Sequence, residues 1–265
     1  MQLVMFTKML AKLDVTQLGE TIKGLGFDGM DLAIRPGHPV NPENVETALP
    51  EAIKVWSDMG LVVGMVTSDT SLIDPTTSEA DRIFAACGRA GVKYIKLGYY
   101  QWQPGEDYQA RVKEIRDALD GFAELGAKHD VLPCYHTHSG RFYGVNASAL
   151  MHLLDGMDPS RIGAYLDAGH LMLDGEPFTM AVAIVEPYLK LVAVKDPIYV
   201  DGGRQLVPLG EGLVDWVGVC RDLRAAHFDG PVTLHSEYDL DVDPLVATTR
   251  QDIQRFKGWM AEAGG

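Results

Sequence analysis

Short apolar runs recur along the chain and are separated by stretches with helical periodicity. Eight runs have the length and composition of buried parallel strands. They are LVMFT (3–7), GMDLAI (29–34), LVVGMVT (61–67), VKYIKLG (92–98), VLPCYH (131–136), IGAYLD (162–167), LKLVAVKD (189–196) and PVTLHSEY (231–238). The clearest helical stripe between them consists of Val112, Ile115, Leu119, Phe122 and Leu125.

A second stripe, Val45, Leu49, Ile53 and Trp56, predicts a helix with Asn41 as its N-cap and Pro42 at its first position. Eight strand-helix units in 265 residues predict one α/β domain over residues 1–265, a (β/α)8 TIM barrel. The active site of such a barrel lies at the C-terminal ends of its strands. A doubly wound open sheet remains the alternative.

Composition excludes several classes of function. The formal net charge of −14 opposes binding to nucleic acid phosphates. Lys8 and Lys12 interrupt the apolar N-terminus, and no apolar stretch has the length of a membrane span. We therefore expect a cytoplasmic protein with neither nucleic acid nor membrane as partner. The glycines at 24, 26 and 29 match a dinucleotide pattern, but they end a helix and open a strand, which argues against a nicotinamide site.

Polar side chains follow most of the predicted strands. The sequence AYLDAGH (164–170) ends a buried run with Asp167 and His170. The others are Arg35, His38, Lys96, His136, His138, Arg141, Lys195 and Glu237. Any one of them is equally compatible with a helix cap or a satisfied polar group. In a barrel they would converge on one apolar mouth, and this concentration of ionisable groups favours an active site.

Local motifs at these strand ends resemble the sugar phosphate isomerase/epimerase superfamily of xylose isomerase-like TIM barrels. The matching segments are DLAIRPGHPVNPENV, PCYHTHSG, YLDAGH, VAVKD, PLGEGLVDW and GPVTLHSEYD. The resemblance implies a small-molecule sugar or keto-sugar substrate. It also implies a divalent metal, Mn, Mg, Co or Zn, held by a carboxylate, an Asp, a His and a Glu from strands five to eight. Asp167 and Glu237 match two of these ligands, and His170 matches a residue that contacts substrate.

Two positions depart from the family pattern. His136 stands where the fifth strand should supply a carboxylate, and Ala193 stands where the seventh should supply histidine. The expected metal ligands are therefore His136, Asp167 and Glu237, a set that imidazole chemistry allows. If no metal ion is bound, Lys195 is the alternative source of positive charge at the site.

The expected chemistry is removal of a proton next to a sugar carbonyl, giving an enediolate. Glu237 is the expected base, and His136 or His138 exchanges protons on the opposite face. Lys195 and His170 are expected to polarise the carbonyl. The expected substrate-binding residues are Arg35, His38, Lys96, His138 and Arg141.

Three outcomes remain open at this point. Reprotonation of the enediolate makes the protein a sugar isomerase or epimerase. Elimination of a β-substituent makes it a dehydratase or lyase acting on a keto-sugar or 3-keto-glycoside. Loss of a metal ligand at Ala193 favours a third alternative, a non-catalytic sugar-binding or partner subunit. Self-association as a homo-oligomer also stays open.

Overall fold

Eight parallel strands close into a barrel in the computed structural model, which describes residues 1–264. The barrel order is β1-β10-β7-β6-β5-β4-β3-β2, so that β1 pairs with both β2 and β10. The strands are β1 Gln2–Phe6, β2 Gly29–Ile34, β3 Val62–Ser68, β4 Tyr94–Lys96, β5 Leu132–His136, β6 Gly163–Asp167, β7 Leu189–Val194 and β10 Pro231–Leu234. This closure confirms the predicted (β/α)8 barrel over the open-sheet alternative.

Helices follow the strands and cover the barrel. They are α1 Val15–Leu25, α2 Val45–Asp58, α3 Ser78–Arg89, α4 Tyr108–His129, α5 Ala147–Leu154, α6 Ala168–Leu173, α7 Phe178–Val185, α8 Trp216–Ala225 and α9 Val242–Glu262. The stripe predicted for α4 is confirmed, because four of its five residues are buried and Leu125 is half-buried. α1 begins with a capping box between Asp14 and Gln17 and ends at Gly26, whose φ of 83° suits glycine.

The predicted start of α2 was wrong. Asn44, and not Asn41, is the N-cap, and the helix begins at Val45. The Asn41 side chain accepts hydrogen bonds from the backbone N–H groups of Glu43 and Asn44. These bonds close a turn ahead of the helix, and Pro42 lies in that turn.

The seventh predicted strand is interrupted. After β7 ends at Val194, Asp196 opens an antiparallel hairpin of β8 Asp196–Val200 and β9 Gly203–Val207. The eighth predicted strand, β10, ends at Leu234, so His235 and Glu237 lie in the loop that follows. Both changes occur at the C-terminal edge of the barrel, where strands give way to loops that carry side chains into the mouth.

The buried Asp196 carboxylate ties the loop after the hairpin to the barrel. It accepts hydrogen bonds from the backbone N–H groups of Gly210, Gly212 and Val214 and from the indole Nε1 of Trp216. With four donors satisfied inside the protein, Asp196 has a structural role.

The apolar core has two parts. The larger lies between the strands and the helices. The smaller consists of strand residues, Met65, Cys134, Tyr165, Leu191 and Ala193, with Tyr94 and Leu132 packed against them. Ala193 is fully buried in this cluster, so a methyl group occupies the position where the family pattern expects a histidine ligand.

None of the helices in residues 1–264 combines the length and apolar character needed to cross a bilayer.

Candidate functional site

Side chains from four strand ends meet at the mouth of the barrel. Asp167 and His136 end their strands, Lys195 follows β7 directly, and Glu237 lies three residues beyond β10. His170 stands on the first turn of α6, immediately after Asp167. These five residues were predicted as site residues from the sequence, and their distances in the structure are given below.

The ammonium group of Lys195 lies between two carboxylates. Its Nζ is 3.0 Å from Asp167 Oδ2 and 3.5 Å from Glu237 Oε2. Lys195 and Asp167 are both buried, whereas Glu237 is partly exposed. Burial alone would raise the pKa of Asp167, but Lys195, His170 and His136 hold it well below its ordinary value. Asp167 therefore stays ionised and anchors Lys195.

His136 approaches Asp167 from the neighbouring strand. Its Nε2 is 3.3 Å from Asp167 Oδ2, and its Nδ1 is 2.5 Å from the Tyr99 hydroxyl. Burial lowers the pKa of His136 to about 3 and raises that of Tyr99 well above its ordinary value. Tyr99 therefore stays protonated, and its hydroxyl donates a hydrogen bond to Nδ1 of His136. The imidazole proton of His136 then lies on Nε2, facing Asp167.

A second imidazole is oriented by a chain of three groups. Arg204 of β9 donates to the Ser139 hydroxyl, which lies 2.8 Å from His170 Nδ1. The Ser139 hydroxyl thus bridges the Arg204 guanidinium and the His170 ring, whose Nε2 lies 3.9 Å from Asp167 Oδ2. Burial lowers the pKa of His170 well below its ordinary value, so this ring is neutral.

Glu237 is surrounded by cations. Lys8 Nζ lies 2.5 Å from Oε1, and His235 Nδ1 lies 3.5 Å from Oε2. Burial alone would raise the pKa of Glu237, but Lys195, His235 and Lys8 hold it well below its ordinary value. Burial alone would lower the pKa of His235, but hydrogen bonding to Asp31 and Glu237 outweighs burial and raises this pKa above its ordinary value. Glu237 is therefore an ionised carboxylate in a cationic setting.

His138 differs from the other two imidazoles because its ring has a free lone pair. Burial lowers its pKa to about 4, and Nδ1 lies 3.0 Å from the carbonyl oxygen of Ser139. A carbonyl only accepts, so Nδ1 of the neutral ring carries the proton and Nε2 keeps its lone pair. His138 is thus an available base.

Gly169 lets α6 pack directly on Lys195. A Cβ at this position would lie 2.5 Å from the carbonyl oxygen and 2.9 Å from Cγ of Lys195. The small residue in the DAGH segment therefore permits the close approach that holds the lysine stem.

Two adjoining cavities lead to these groups. The inner cavity, about 110 Å³, lies within the barrel, and the outer cavity, about 630 Å³, lies beneath the hairpin. Four residues line both cavities: Lys8, His138, Lys195 and Glu237. The reactive groups thus stand at the junction, where a bound molecule can reach both spaces.

The predicted substrate-binding residues divide into two groups. Arg35, Lys96 and His138 line the inner cavity. His38 is half-buried and Arg141 is exposed, and neither lines the inner or the outer cavity. The carbonyl of Arg141 instead accepts from the backbone of Trp102. The structure therefore does not bring His38 and Arg141 to the site.

The predicted metal ligands do not surround a common point. His136 contacts Asp167, whereas Glu237 contacts Lys8, Lys195 and His235. Lys195 lies between the two carboxylates, where a divalent ion would have to stand beside an ammonium group. Within residues 1–264, no three His, Cys, Asp or Glu side chains are grouped to hold one metal ion. The donor set present does not fit the family's metal, and the ligand set expected from sequence forms no metal centre here.

Two site residues were missed by the sequence analysis although signals for them exist. Lys8 closely follows the first strand, so the rule applied to the other strand ends also covers it. Arg204 lies on β9, and the Asp201-Gly202 pair after the apolar run 198–200 is a hairpin signal. Ser139 carries no comparable signal, because its role depends on Arg204.

Solved structures with a similar fold are enzymes of sugar and related chemistry. A D-tagatose 3-epimerase-like protein superposes with a TM-score of 0.77 at 12% identity, covering 100% of both chains. The 3-keto-D-glucoside 4-epimerase of E. coli gives 0.76 at 16%, covering 97% of this chain and 99% of its own. The probable 3-DHS dehydratase of Bacillus anthracis gives 0.74 at 16%, with the same coverage. At these identities the likeness establishes the fold alone.

No curated protein sequence matches this chain. The family model described as xylose isomerase-like TIM barrel matches residues 20–260. That span includes every barrel strand but β1, and also the ends of β6, β7 and β10 that supply Asp167, Lys195 and Glu237. The chain therefore belongs to the xylose isomerase-like TIM barrel family.

Proposed function

We propose that the protein is an isomerase or epimerase of keto-sugars that moves a proton at the carbon next to the carbonyl. The observation that carries this proposal is the position of Lys195 between Asp167 and Glu237, at the junction of the two cavities. Epimerases among the structural neighbours support the choice of reaction class.

Lys195 supplies the positive charge. Its ammonium group donates to the carbonyl oxygen of the substrate and stabilises the negative charge that develops there once the neighbouring proton is removed. Asp167 holds Lys195 in place through a 3.0 Å contact, and the Asp167 carboxylate is itself held because it accepts from the backbone N–H of His170. The charge is thus positioned before substrate arrives, which is the condition for strong stabilisation.

Two bases flank Lys195. Glu237 follows β10 and His138 follows β5, and in the barrel order these strands lie on opposite sides of β7. Glu237 removes the proton. Lys195 lowers the pKa of Glu237, and when Lys195 binds the substrate carbonyl its contact with Glu237 weakens, so the carboxylate becomes a stronger base. On the opposite face His138 passes a proton from water to the carbon, and the hydroxide that is left takes the proton from Glu237, which restores water and both bases. Inversion of the carbon follows.

Elimination is a second candidate, favoured by the size of the outer cavity. A space of about 630 Å³ next to Glu237 can receive a leaving hydroxyl or glycosidic group. The same Lys195-stabilised enediolate then loses its β-substituent, so both reactions share their first step. The dehydratase among the structural neighbours is compatible with this outcome.

Incubation with a panel of ketoses and 3-keto-glycosides in deuterated water tests the proposal. Deuterium should appear at the carbon next to the carbonyl whether the enediolate is reprotonated or eliminates its substituent. We expect an epimer or isomer as product. An enone absorbing in the ultraviolet would identify elimination instead. Glu237→Gln should suppress exchange, whereas Glu211→Gln, in an exposed ion pair with Arg255, should not.

The same panel addresses the non-catalytic alternative. A binding or partner subunit would bind members of the panel without any deuterium incorporation. In that case Glu237→Gln and the wild-type protein would be indistinguishable, and the proposed function would be wrong.

A further inference from the structure

Two cationic side chains of the inner cavity contact aromatic rings but have no carboxylate partner in the described part of the chain. Lys96 Nζ lies 3.5 Å from the centroid of the Tyr99 ring, and Arg35 Cζ lies 5.5 Å from that of Phe6. Lys96 is 1% exposed and its Nζ makes no hydrogen bond to any group in residues 1–264. The buried Nε of Arg35 is also without a hydrogen-bond partner there. Both residues line the inner cavity. Polar atoms buried without a hydrogen bond are costly, so the presence of two such cationic groups at one cavity favours a ligand of opposite charge there.

The carboxylates around these two cations are already engaged. Asp31 accepts from the hydroxyls of Thr67 and Thr233, and Asp69 accepts from Ser71. Glu237 is held by Lys8 and Lys195. Asp31 and Asp69 do not line the cavity, which leaves Glu237 as its one carboxylate against Lys8, Arg35, Lys96 and Lys195. The cavity lining is therefore cationic on a chain whose net charge is −14.

Electrostatics and size both favour a small anion here. Burial and the neighbouring Arg35 lower the pKa of Lys96 well below its ordinary value, a cost that an anion between the two would remove. A liquid water molecule takes up about 30 Å³, so 110 Å³ holds a group the size of three or four waters. A carboxylate or phosphate group has this size, whereas a whole hexose is larger. Arginine is suited to such oxyanions.

We propose that Arg35 and Lys96 bind an anionic group of the substrate, a carboxylate or a phosphate, so that the protein acts on an acidic sugar. This inference rests on the proposed function for the identity of the sugar, although the anion site itself does not require turnover. With the anion in the inner cavity, the neighbouring carbons lie at the junction with Lys195, His138 and Glu237. The remainder of the substrate then extends into the outer cavity beneath the hairpin.

Three acyclic sugar derivatives that lack a keto group test the site without chemistry. D-glucitol is neutral, D-gluconate carries a carboxylate, and D-glucitol 6-phosphate carries a phosphate. Calorimetric titration should show one or both acids binding about tenfold to a hundredfold more tightly than D-glucitol, the gain expected from charge-assisted hydrogen bonds. Tighter binding of gluconate assigns a sugar acid as substrate, and tighter binding of the phosphate assigns a sugar phosphate.

Variants then locate the effect. Lys96→Met and Arg35→Gln should each reduce the preference for the acid by about tenfold or more. Methionine fills the volume of the buried lysine, so folding should persist, and Arg35→Gln offers a second route if it does not. Arg161→Gln is the matched control, because Arg161 is exposed and lines neither cavity.

The inference is overturned if neither acid binds more tightly than D-glucitol, or if the preference persists in both Lys96→Met and Arg35→Gln. Because no proton transfer is measured, this failure is distinct from failure of the proposed function. If neutral keto-sugars exchange deuterium and all three probes bind equally, the proposed reaction is supported and the proposed anion site is wrong.

Discussion

Lys195 Nζ lies 3.0 Å from Asp167 Oδ2, because Asp167 ends β6 and Lys195, 28 positions later in the chain, follows the neighbouring strand β7. Breaking a buried pair of this kind leaves an uncompensated charge and costs about 3 to 5 kcal/mol. The pair also explains the AYLDAGH segment, because Asp167 anchors Lys195 and accepts from the backbone of His170 at the start of α6.

Gly169→Ala should impair the reaction more than the fold. The added methyl group would overlap the carbonyl oxygen and Cγ of Lys195, displacing the ammonium group. A shift of about 1 Å in a catalytic group lowers rates about 10²-fold, so we expect that loss in the rate of deuterium exchange. Gly258→Ala, where a methyl group meets nothing within 4 Å, is the control. Equal exchange rates in the two variants would contradict this role for Gly169.

Asp196→Asn should destabilise the protein without changing its reacting groups. The amide would place an NH2 group against the N–H donors of the 210–214 loop and the Trp216 indole. We expect the free energy of unfolding in urea to fall by about 2 to 3 kcal/mol. Asp229→Asn, at an exposed position, should leave it unchanged within about 0.5 kcal/mol. A loss no larger than that of the control would show that Asp196 does not tie the loop to the barrel.

Acidification below about pH 6.5 should destabilise the protein through its buried histidines. His136 and His138 have pKa values of about 3 and about 4 in the folded protein, and that of His170 is also lowered, against 6.5 for a free histidine. The unfolded chain therefore binds more protons below pH 6.5, and stability falls as pH is lowered. His235 acts oppositely, since its raised pKa gives stability that is lost as pH rises.

Urea denaturation at a series of pH values measures this effect. The free energy of unfolding should decline from about pH 7 to about pH 5, by up to about 1.4 kcal/mol per pH unit for each neutral imidazole. His138→Gln should show a shallower decline than the wild-type protein. A flat profile would mean that these rings are not buried in the neutral state.

Chelation separates a lysine-based site from a metal-based one. Because Lys195 stands between the carboxylates that would hold the ion, prolonged dialysis against EDTA should leave the exchange rate unchanged. The dialysed protein is assayed with and without added Mn²⁺ or Zn²⁺. Loss of exchange on dialysis and its recovery with either ion would show that a metal, and not Lys195, supplies the charge.

The fold and the location of the site could be predicted from the sequence because both depend on local patterns. Apolar runs define the strands, and parallel strands place all their C-terminal ends at one side. This reasoning led to Asp167, His136, Lys195 and Glu237. It also included His38 and Arg141, because the position of a residue after a strand does not determine which way its loop turns.

Other features depend on distances that the sequence does not contain. His136, Asp167 and Glu237 are compatible with a metal as residue types, but their arrangement depends on where the Lys195 ammonium group lies. The tautomer of His136 depends on Tyr99, which is 37 residues away. The N-cap of α2 depends on whether the Asn41 side chain accepts from the N–H groups of the turn at 43–44 or from those of the helix.

The rate of deuterium incorporation by Lys195→Met tests the central claim most directly. Methionine keeps most of the buried volume and removes only the charge, and Lys190→Met, at the opposite end of β7, is the matched control. With the best substrate of the panel, the account predicts a loss of about 10²- to 10³-fold in Lys195→Met and none in Lys190→Met. Wild-type exchange rates in a folded Lys195→Met protein would contradict it.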